Sequence, residues 1–195
     1  MRAPVQAGFR PALGTSHPLF GLRHLVERAK ARCDPLYVCF VDLVKAYDTM
    51  PRHLLWHIMA CIGVPQQFVQ AIKSMYAGLV CQVKVEGCLS SEFESTMGVK
   101  QGCPLSPTLF GIFIDRLYFR VMSRVPHCGP GLSSGIRVPM MLYADDFCLV
   151  ARAGSDMRCL LGEVDHFNEA SGMHASMGPG KTEMMLTCAL PFPRC

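Results

Sequence analysis

The sequence predicts an α/β (α+β) domain in which a mixed sheet packs on helices. Three observations predict it. Leu36-Tyr37-Val38-Cys39-Phe40-Val41 is a nearly continuous apolar run, as a central strand covered on both faces requires. Val138-Pro139-Met140-Met141-Leu142 and Phe147-Cys148-Leu149-Val150 bracket Tyr143-Ala144-Asp145-Asp146, so they read as a hairpin with two carboxylates at its tip. The remaining apolar residues recur at helical spacing between proline and glycine boundaries. Strands alternating with helices, plus one hairpin, give this architecture.

In chain order, Thr15-Ser16-His17-Pro18 is a hydroxyl cap with an early proline, leading a helix through Leu19, Leu22, Leu25, Val26 and Ala29. Asp34-Pro35 stops it, and the central strand follows, ending in Asp42. Pro51 opens a helix carrying Leu54, Leu55, Ile58, Met59 and Ile62, which Gly63 closes. Pro65 starts another through Phe68, Val69, Ile72 and Tyr76. Cys81 to Val85 alternates as a strand, Glu86-Gly87 turns, and Phe93 to Met97 returns. Ser106-Pro107 starts a helix with a capping hydroxyl, running through Leu109, Phe110, Ile112, Phe113, Leu117 and Val121. Arg124 to Gly135 is loop-like, and the Asp-Asp hairpin comes next. A last helix begins near Ser155, carries Leu160, Leu161, Val164 and Phe167, and ends at Gly172.

Half of the 195 residues are apolar, which supports a sizeable core and excludes a disordered chain. Charges interrupt every apolar run before membrane-spanning length, so no membrane partner is expected. Met1-Arg2-Ala3-Pro4-Val5 lacks the apolar centre of a signal peptide, and an intracellular protein is expected. A net charge of +4 is compatible with a polyanionic partner without requiring one. The 11 cysteines include no Cys-x-x-Cys pair, so reduced thiols are expected rather than a zinc cluster or disulfide frame. His53 and His57 have helical zinc-pair spacing but lack the glutamate of a zinc protease, so no metal is expected there.

The chemistry points to three segments. Two adjacent carboxylates on a rigid hairpin suit two divalent ions about 3.5–4 Å apart, the arrangement that drives in-line phosphoryl transfer. Taken alone, Asp145-Asp146 reads equally well as a solvated turn. Asp42, at a strand end, aims beyond the sheet edge; Asp42, Asp145 and the Leu43 carbonyl would hold two hard cations if the strand and hairpin are neighbours. The alternative for Asp42 is a cap on the turn at Lys45. Gly98-Val99-Lys100-Gln101-Gly102-Cys103-Pro104-Leu105-Ser106-Pro107 offers close backbone approach and an amide for a base or sugar edge, or is simply a helix-entry loop.

These three segments, in this order, resemble the A, B and C motifs of reverse transcriptases, most nearly those of non-LTR (LINE-type) retrotransposons. Gln6-Ala7-Gly8-Phe9-Arg10 resembles the stretch that such proteins place before the first catalytic strand. The resemblance runs from about Gln6 to Leu186. It implies a right-hand polymerase palm with a mixed, mainly antiparallel sheet packed on helices, partial fingers and no thumb. The implied division is partial fingers over residues 1–36, palm over 37–50, fingers over 51–104 and palm over 105–195.

Carried over by residue, the resemblance makes Asp42, Asp145 and Asp146 the catalytic acids. Asp42 and Asp145 are the direct metal ligands, with the Leu43 carbonyl, and Asp146 is less essential. Tyr47 falls where these enzymes place an aromatic ring that excludes a ribose 2′-hydroxyl by overlap, favouring deoxynucleotides; a core ring is the alternative. Gln101, with Gly102, meets the incoming nucleotide or its template partner, and Arg10 approaches phosphate. Lys181 in Gly180-Lys181-Thr182-Glu183 matches a lysine that protonates departing pyrophosphate. The implied cofactor is Mg²⁺ as two ions, with Mn²⁺ as a substitute. The implied partners are an RNA template, a DNA primer and deoxynucleoside triphosphates, and the implied location is the nucleus.

The sequence departs from the family pattern before Lys181. Ala175-Ser176-Met177 stands where relatives usually have an asparagine, and Gly178-Pro179-Gly180 replaces an ordinary turn about one residue shorter. Early fingers segments, primer-gripping hairpin, thumb, endonuclease region and cysteine-rich tail are not in this stretch. The function expected is therefore an RNA-directed DNA polymerase core. The alternative is a catalytically silent remnant that binds nucleic acid, which the three intact acids oppose. An unrelated two-metal nuclease lacks the additional His/Glu cluster and leaves Tyr47 without a role.

Overall fold

The apolar run Leu36–Val41 forms strand β1, and its composition follows from its position at the heart of the sheet. In the computed structural model, which describes residues 2–132 and 135–187, both of its faces are covered. Cys39 and Val41 face one core, Leu36 and Val38 the other, so no polar alternation is tolerated.

Helix α1 (Ser16–Arg32) closes the smaller core with Leu22, Leu25 and Ala29 against Val38, Met141, Cys148 and Val150. The expected hydroxyl cap is absent: Thr15 holds the N-cap position without a side-chain bond, and His17 Nδ1 instead accepts from Gly14 N–H at 3.1 Å. The helix outruns Ala29 to Arg32, where Cys33 ends it in the left-handed region at φ +54°.

After β1 comes an unanticipated single turn, α2 (Ala46–Thr49). The helices α3 (Arg52–Cys61) and α4 (Gln66–Tyr76) fall between their proline and glycine signals as expected.

The strand expected over Cys81 to Val85 is instead split between two small ribbons. Strand β2 (Val80–Cys81) pairs with β5 (Phe93–Glu94), and β3 (Lys84–Val85) with β4 (Cys88–Leu89). Val83 and Val85 are exposed, so no buried face holds a longer strand in register, and Val83 N–H bonds to the Ser90 hydroxyl instead. Glu86 and Gly87 turn as expected, both with left-handed φ.

Helix α5 (Ser106–Arg124) carries Phe110, Phe113 and Leu117 into the larger core. Pro107 lies in its first turn, but Ser106 is not the cap: its hydroxyl donates to the Lys100 carbonyl at 2.6 Å, and Leu105 is the N-cap. The loop expected over Arg124 to Gly135 contains positions 133 and 134, which lie outside the described residues; Arg124 closes α5 instead, and the described part after it is irregular.

Strands β6 (Met140–Tyr143) and β7 (Asp146–Ala151) form the expected hairpin, and α6 (Gly154–Ser171) ends at Gly172 with φ +70°. Strand β8 (Glu183–Thr187) was not anticipated; it pairs with β1 at the sheet edge, where its side chains are largely exposed. The sheet order is β6-β7-β1-β8, all antiparallel, and a single parallel bridge from Gln6 to Leu142 makes it mixed. Of the stretch expected to complete the last region, positions 188–195 lie outside the described residues.

Candidate active site

The register of β1 and β7 brings the acids together. Val41 pairs with Phe147 in antiparallel sense, so the next residue, Asp42, stands opposite Asp146. Tyr143 pairs with Asp146, leaving Ala144 and Asp145 as a two-residue turn. Asp145 is half-buried, and burial, together with the Asp146 and Asp42 carboxylates, pushes its carboxyl above the usual range; its own backbone N–H opposes the shift. Three acids from two adjacent strands thus share one corner of the sheet.

The Asp42 backbone is fixed beyond the strand. Ser176 N–H donates to the Asp42 carbonyl at 2.7 Å, and Val44 N–H to the His174 carbonyl at 2.9 Å. Leu43 and Ala175 therefore form a non-hydrogen-bonded pair, with the Leu43 carbonyl directed away from that contact. The Asp42 cap expected as an alternative is not what the side chain does: Lys181 Nζ lies 3.4 Å from Asp42 Oδ2. The Gly178-Pro179-Gly180 turn, closed by Lys181 N–H on the Gly178 carbonyl, thus still delivers its lysine to the acids.

Two clefts flank this corner. In one, of about 380 Å³, Asp42, Asp146 and Lys181 face an apolar wall that includes Leu19 and Phe40. The other, of about 500 Å³, is lined by Tyr47, Gln101, Gly102 and Pro104. Tyr47 stacks on Phe110 with ring centroids 4.4 Å apart. Among the described residues its hydroxyl is buried without a partner, and burial, together with the nearby Asp145 charge, raises its pKa to about 12. The ring therefore both packs on the core, as one reading of the sequence had it, and lines the cleft.

Gln101 Nε2 donates to Asp48 Oδ1 at 3.0 Å, tying its loop to the turn that carries Tyr47. The same loop is clipped by Gly98 N–H on the Met50 carbonyl and Val99 N–H on the Tyr47 carbonyl. Gly98 has φ +75°, and a Cβ there would fall 2.5 Å from the Asp48 carbonyl oxygen, so only glycine fits. Arg10 is not among the groups that act on Asp145: its Nη1 donates to the Ala3 and Gln6 carbonyls, and its charge acts on Asp115.

Two further side chains hold the loops of this site: Arg52, which the sequence did not point to, and Gln6, which opened a stretch resembling the family but was given no role. Buried Arg52 donates to the carbonyls of Gly98, Ser95 and Met97 and to the Ser95 hydroxyl, with its guanidinium 4.9 Å from the Tyr76 ring centroid. Buried Gln6 bonds to both backbone groups of Ala144. Their partners lie 43 to 46 and 138 positions away, so local spacing carries no trace of either.

Among the described residues, no three His, Cys, Asp or Glu side chains form a ready-made metal cage. The donor set nevertheless fits a hard cation: two carboxylates and a backbone carbonyl, all oxygen, suit ions that keep waters and substrate phosphates as further ligands. Burial raises the Asp145 pKa, with the Asp146 and Asp42 charges adding to it, and a cation beside it would favour the ionised carboxylate.

Comparison with known proteins identifies the family and the fold. The sequence profile described as "Reverse transcriptase (RNA-dependent DNA polymerase)" matches residues 3–189. The chain is 28% identical over 170 residues to the Pol polyprotein of the type-2 retrotransposable element R2DM of Drosophila melanogaster, covering 87% of this chain and 16% of that protein. It is 29% identical over 164 residues to the RNA-directed DNA polymerase from mobile element jockey of Drosophila funebris, covering 84% and 17%. It thus spans about a sixth of the length of these relatives. Among solved structures, apo telomerase from Candida tropicalis superposes with a TM-score of 0.65 at 16% identity, over 94% of this chain and 36% of that one. Candida tropicalis telomerase in complex with a TWJ fragment of telomeric RNA gives a TM-score of 0.67 at 13% identity, over 95% and 30%. The fold is the right-hand polymerase fold. With a profile match across nearly its whole length, the chain belongs to the reverse transcriptase family, alongside the enzymes of non-LTR retrotransposons.

Proposed function

We propose that this chain is the polymerase core of a non-LTR retroelement, extending the 3′ end of a DNA primer on an RNA template with deoxynucleoside triphosphates. The observation that carries the proposal is the convergence of Asp42, Asp145 and Asp146 at the corner of one sheet. Reverse transcriptases as a family use divalent ions, and here two Mg²⁺, or Mn²⁺ in their place, are the proposed cofactors.

Asp42, Asp145 and the Leu43 carbonyl would hold the metal, with Asp146 beside them. The chemistry such ions would supply there is a lowered pKa for the primer hydroxyl and neutralised charge on the leaving group. Tyr47, braced by Phe110, bars a 2′-hydroxyl from its cleft. Gln101 exchanges its Asp48 partner for the nucleotide or its template base, while the Gly102 backbone lets them approach. Lys181, already beside Asp42, gives its proton to the departing pyrophosphate. Arg10 contacts phosphate in the complex, giving up a carbonyl partner. Residues 1–36 and 51–104 act as fingers and residues 37–50 and 105–195 as palm, and the work is done in the nucleus. Basic side chains on template and primer phosphates make binding strongly salt-dependent.

The test is a DNA primer annealed to RNA, incubated with the chain, deoxynucleotides and Mg²⁺. Lengthening that EDTA abolishes is the expected result. Metal binding without lengthening on any template would instead indicate a silent nucleic-acid-binding module.

A further inference from the structure

The backbone at the tip of the Asp-Asp hairpin is strained, and one buried side chain holds it. Ala144 has φ +58°, in the left-handed region that a residue with a Cβ occupies only at a cost. It immediately precedes Asp145, so relaxation of this peptide would re-aim the Asp145 carboxylate.

Gln6, 1% exposed, grips both polar groups of that residue. Its Oε1 accepts from Ala144 N–H at 2.9 Å, and its Nε2 donates to the Ala144 carbonyl at 3.1 Å. Gly8 N–H donates to the same Oε1 at 2.8 Å, which orients the amide. Gly8 is also pressed against the tip: a Cβ there would lie 2.2 Å from the Ala144 nitrogen. The segment carrying both residues runs along the β6 edge, with Ala7 N–H on the Leu142 carbonyl at 3.0 Å. It is moored below by Arg2 and Ala3 N–H on buried Asp115.

We infer that Gln6 is a positioning residue of the active centre, clamping the strained Ala144 peptide, with Gly8 as its seat, and thereby fixing the direction of Asp145. It acts through Ala144 and touches neither nucleotide nor metal. Partners one step removed from metal ligands commonly change metal affinity or activity about 10–100-fold. The inference about rate rests on the polymerase reading; the inference about metal affinity rests only on the acids.

The experiment compares the chain with Gln6→Met, which keeps the length and apolar bulk but loses all three bonds, and with Gln6→Met/Ala144→Gly. Glycine adopts positive φ without strain, so it needs no clamp. Folding is followed by circular dichroism, Mn²⁺ affinity by electron paramagnetic resonance, and single-turnover deoxynucleotide addition on RNA by quenched flow. The expected result for Gln6→Met is Mn²⁺ affinity about tenfold weaker and a rate at saturating nucleotide about 100-fold lower, with nucleotide KM within about twofold. Ala144→Gly should restore part of both losses. A folded Gln6→Met with parental Mn²⁺ affinity and rate overturns the inference. So does a loss confined to nucleotide KM, which would make Gln6 a nucleotide contact. If Gln6→Met does not fold, the double variant decides: folded with near-parental Mn²⁺ affinity supports the clamp, and unfolded overturns it. If the parent binds Mn²⁺ but extends no primer, the polymerase reading fails by itself and the Mn²⁺ comparison still decides. If the parent binds no Mn²⁺, both readings are overturned.

Discussion

Gln101 donates its side-chain amide to Asp48, 3.0 Å away, and so closes a link between the loop before α5 and the turn that carries Tyr47. Both residues are exposed, so the bond contributes only about 1 kcal/mol. A nucleotide that recruits the Gln101 amide must first break it. Asp48→Ala should therefore lower the deoxynucleotide KM about two- to fivefold, with a change in unfolding free energy of about 1 kcal/mol or less. Steady-state extension at varied nucleotide measures this; a raised KM would mean that the bond preorganises the loop.

Tyr47 separates two contributions of one side chain. Its ring stacks on Phe110, while its hydroxyl is buried with no partner among the described residues. Tyr47→Phe keeps the ring and removes an unsatisfied group, so stability should hold or rise and ribonucleotides should remain excluded. Tyr47→Ala removes the wall, and should raise relative use of ribonucleotides about tenfold or more while costing about 3 kcal/mol of stability. Competition between deoxynucleotide and ribonucleotide, beside urea unfolding, reads both.

Arg52 holds the loop from Ser95 to Gly98 with one guanidinium. Arg52→Met leaves those carbonyls without their buried donor, and should destabilise the chain by roughly 2–4 kcal/mol. Arg52→Lys, a single point charge without the planar fork, should recover less than half of that loss. Denaturant unfolding of the three proteins tests the order.

Asp145 links stability to pH. Its folded pKa lies above the ordinary carboxylate value because of burial and the neighbouring Asp146 and Asp42 charges. Folding therefore favours the protonated form. This contribution is fully present below about pH 4 and is lost as pH rises through the raised pKa. In metal-free buffer, Asp145→Asn should melt higher than the parent at pH 7, and the difference should shrink towards pH 4. Mg²⁺ at pH 7 should raise the parent midpoint more than that of the variant. Melting curves in EDTA and in Mg²⁺ across this range decide it.

What the sequence disclosed follows from which signals are local. Strand β1 was legible to the residue, because burial on both faces forbids polar alternation in Leu36–Val41. Helices α3 and α4 were bounded by prolines and a glycine whose backbone limits are intrinsic. Strand β8 was not legible: Glu183–Thr187 is an exposed edge whose only reason to extend is pairing with β1, about 150 positions earlier. The hydroxyl caps did not form: Thr15 makes no side-chain cap bond, and the Ser106 hydroxyl donates to the Lys100 carbonyl instead. Asp42 and the Asp145-Asp146 pair were visible as charges at strand ends. Gln6 was visible only as part of a stretch resembling the family and Arg52 not at all, since a polar side chain shows its purpose only when its distant backbone partner is in place.

The central claim is that the three converging acids drive nucleotidyl transfer. Single-turnover addition of one deoxynucleotide to a DNA primer on an RNA template, with Mg²⁺, by the parent chain and by Asp145→Asn, tests it most directly. The predicted result is addition by the parent and a rate about 10³-fold lower or worse for the variant, with primer–template binding unchanged. Addition at equal rates by the two proteins would contradict it.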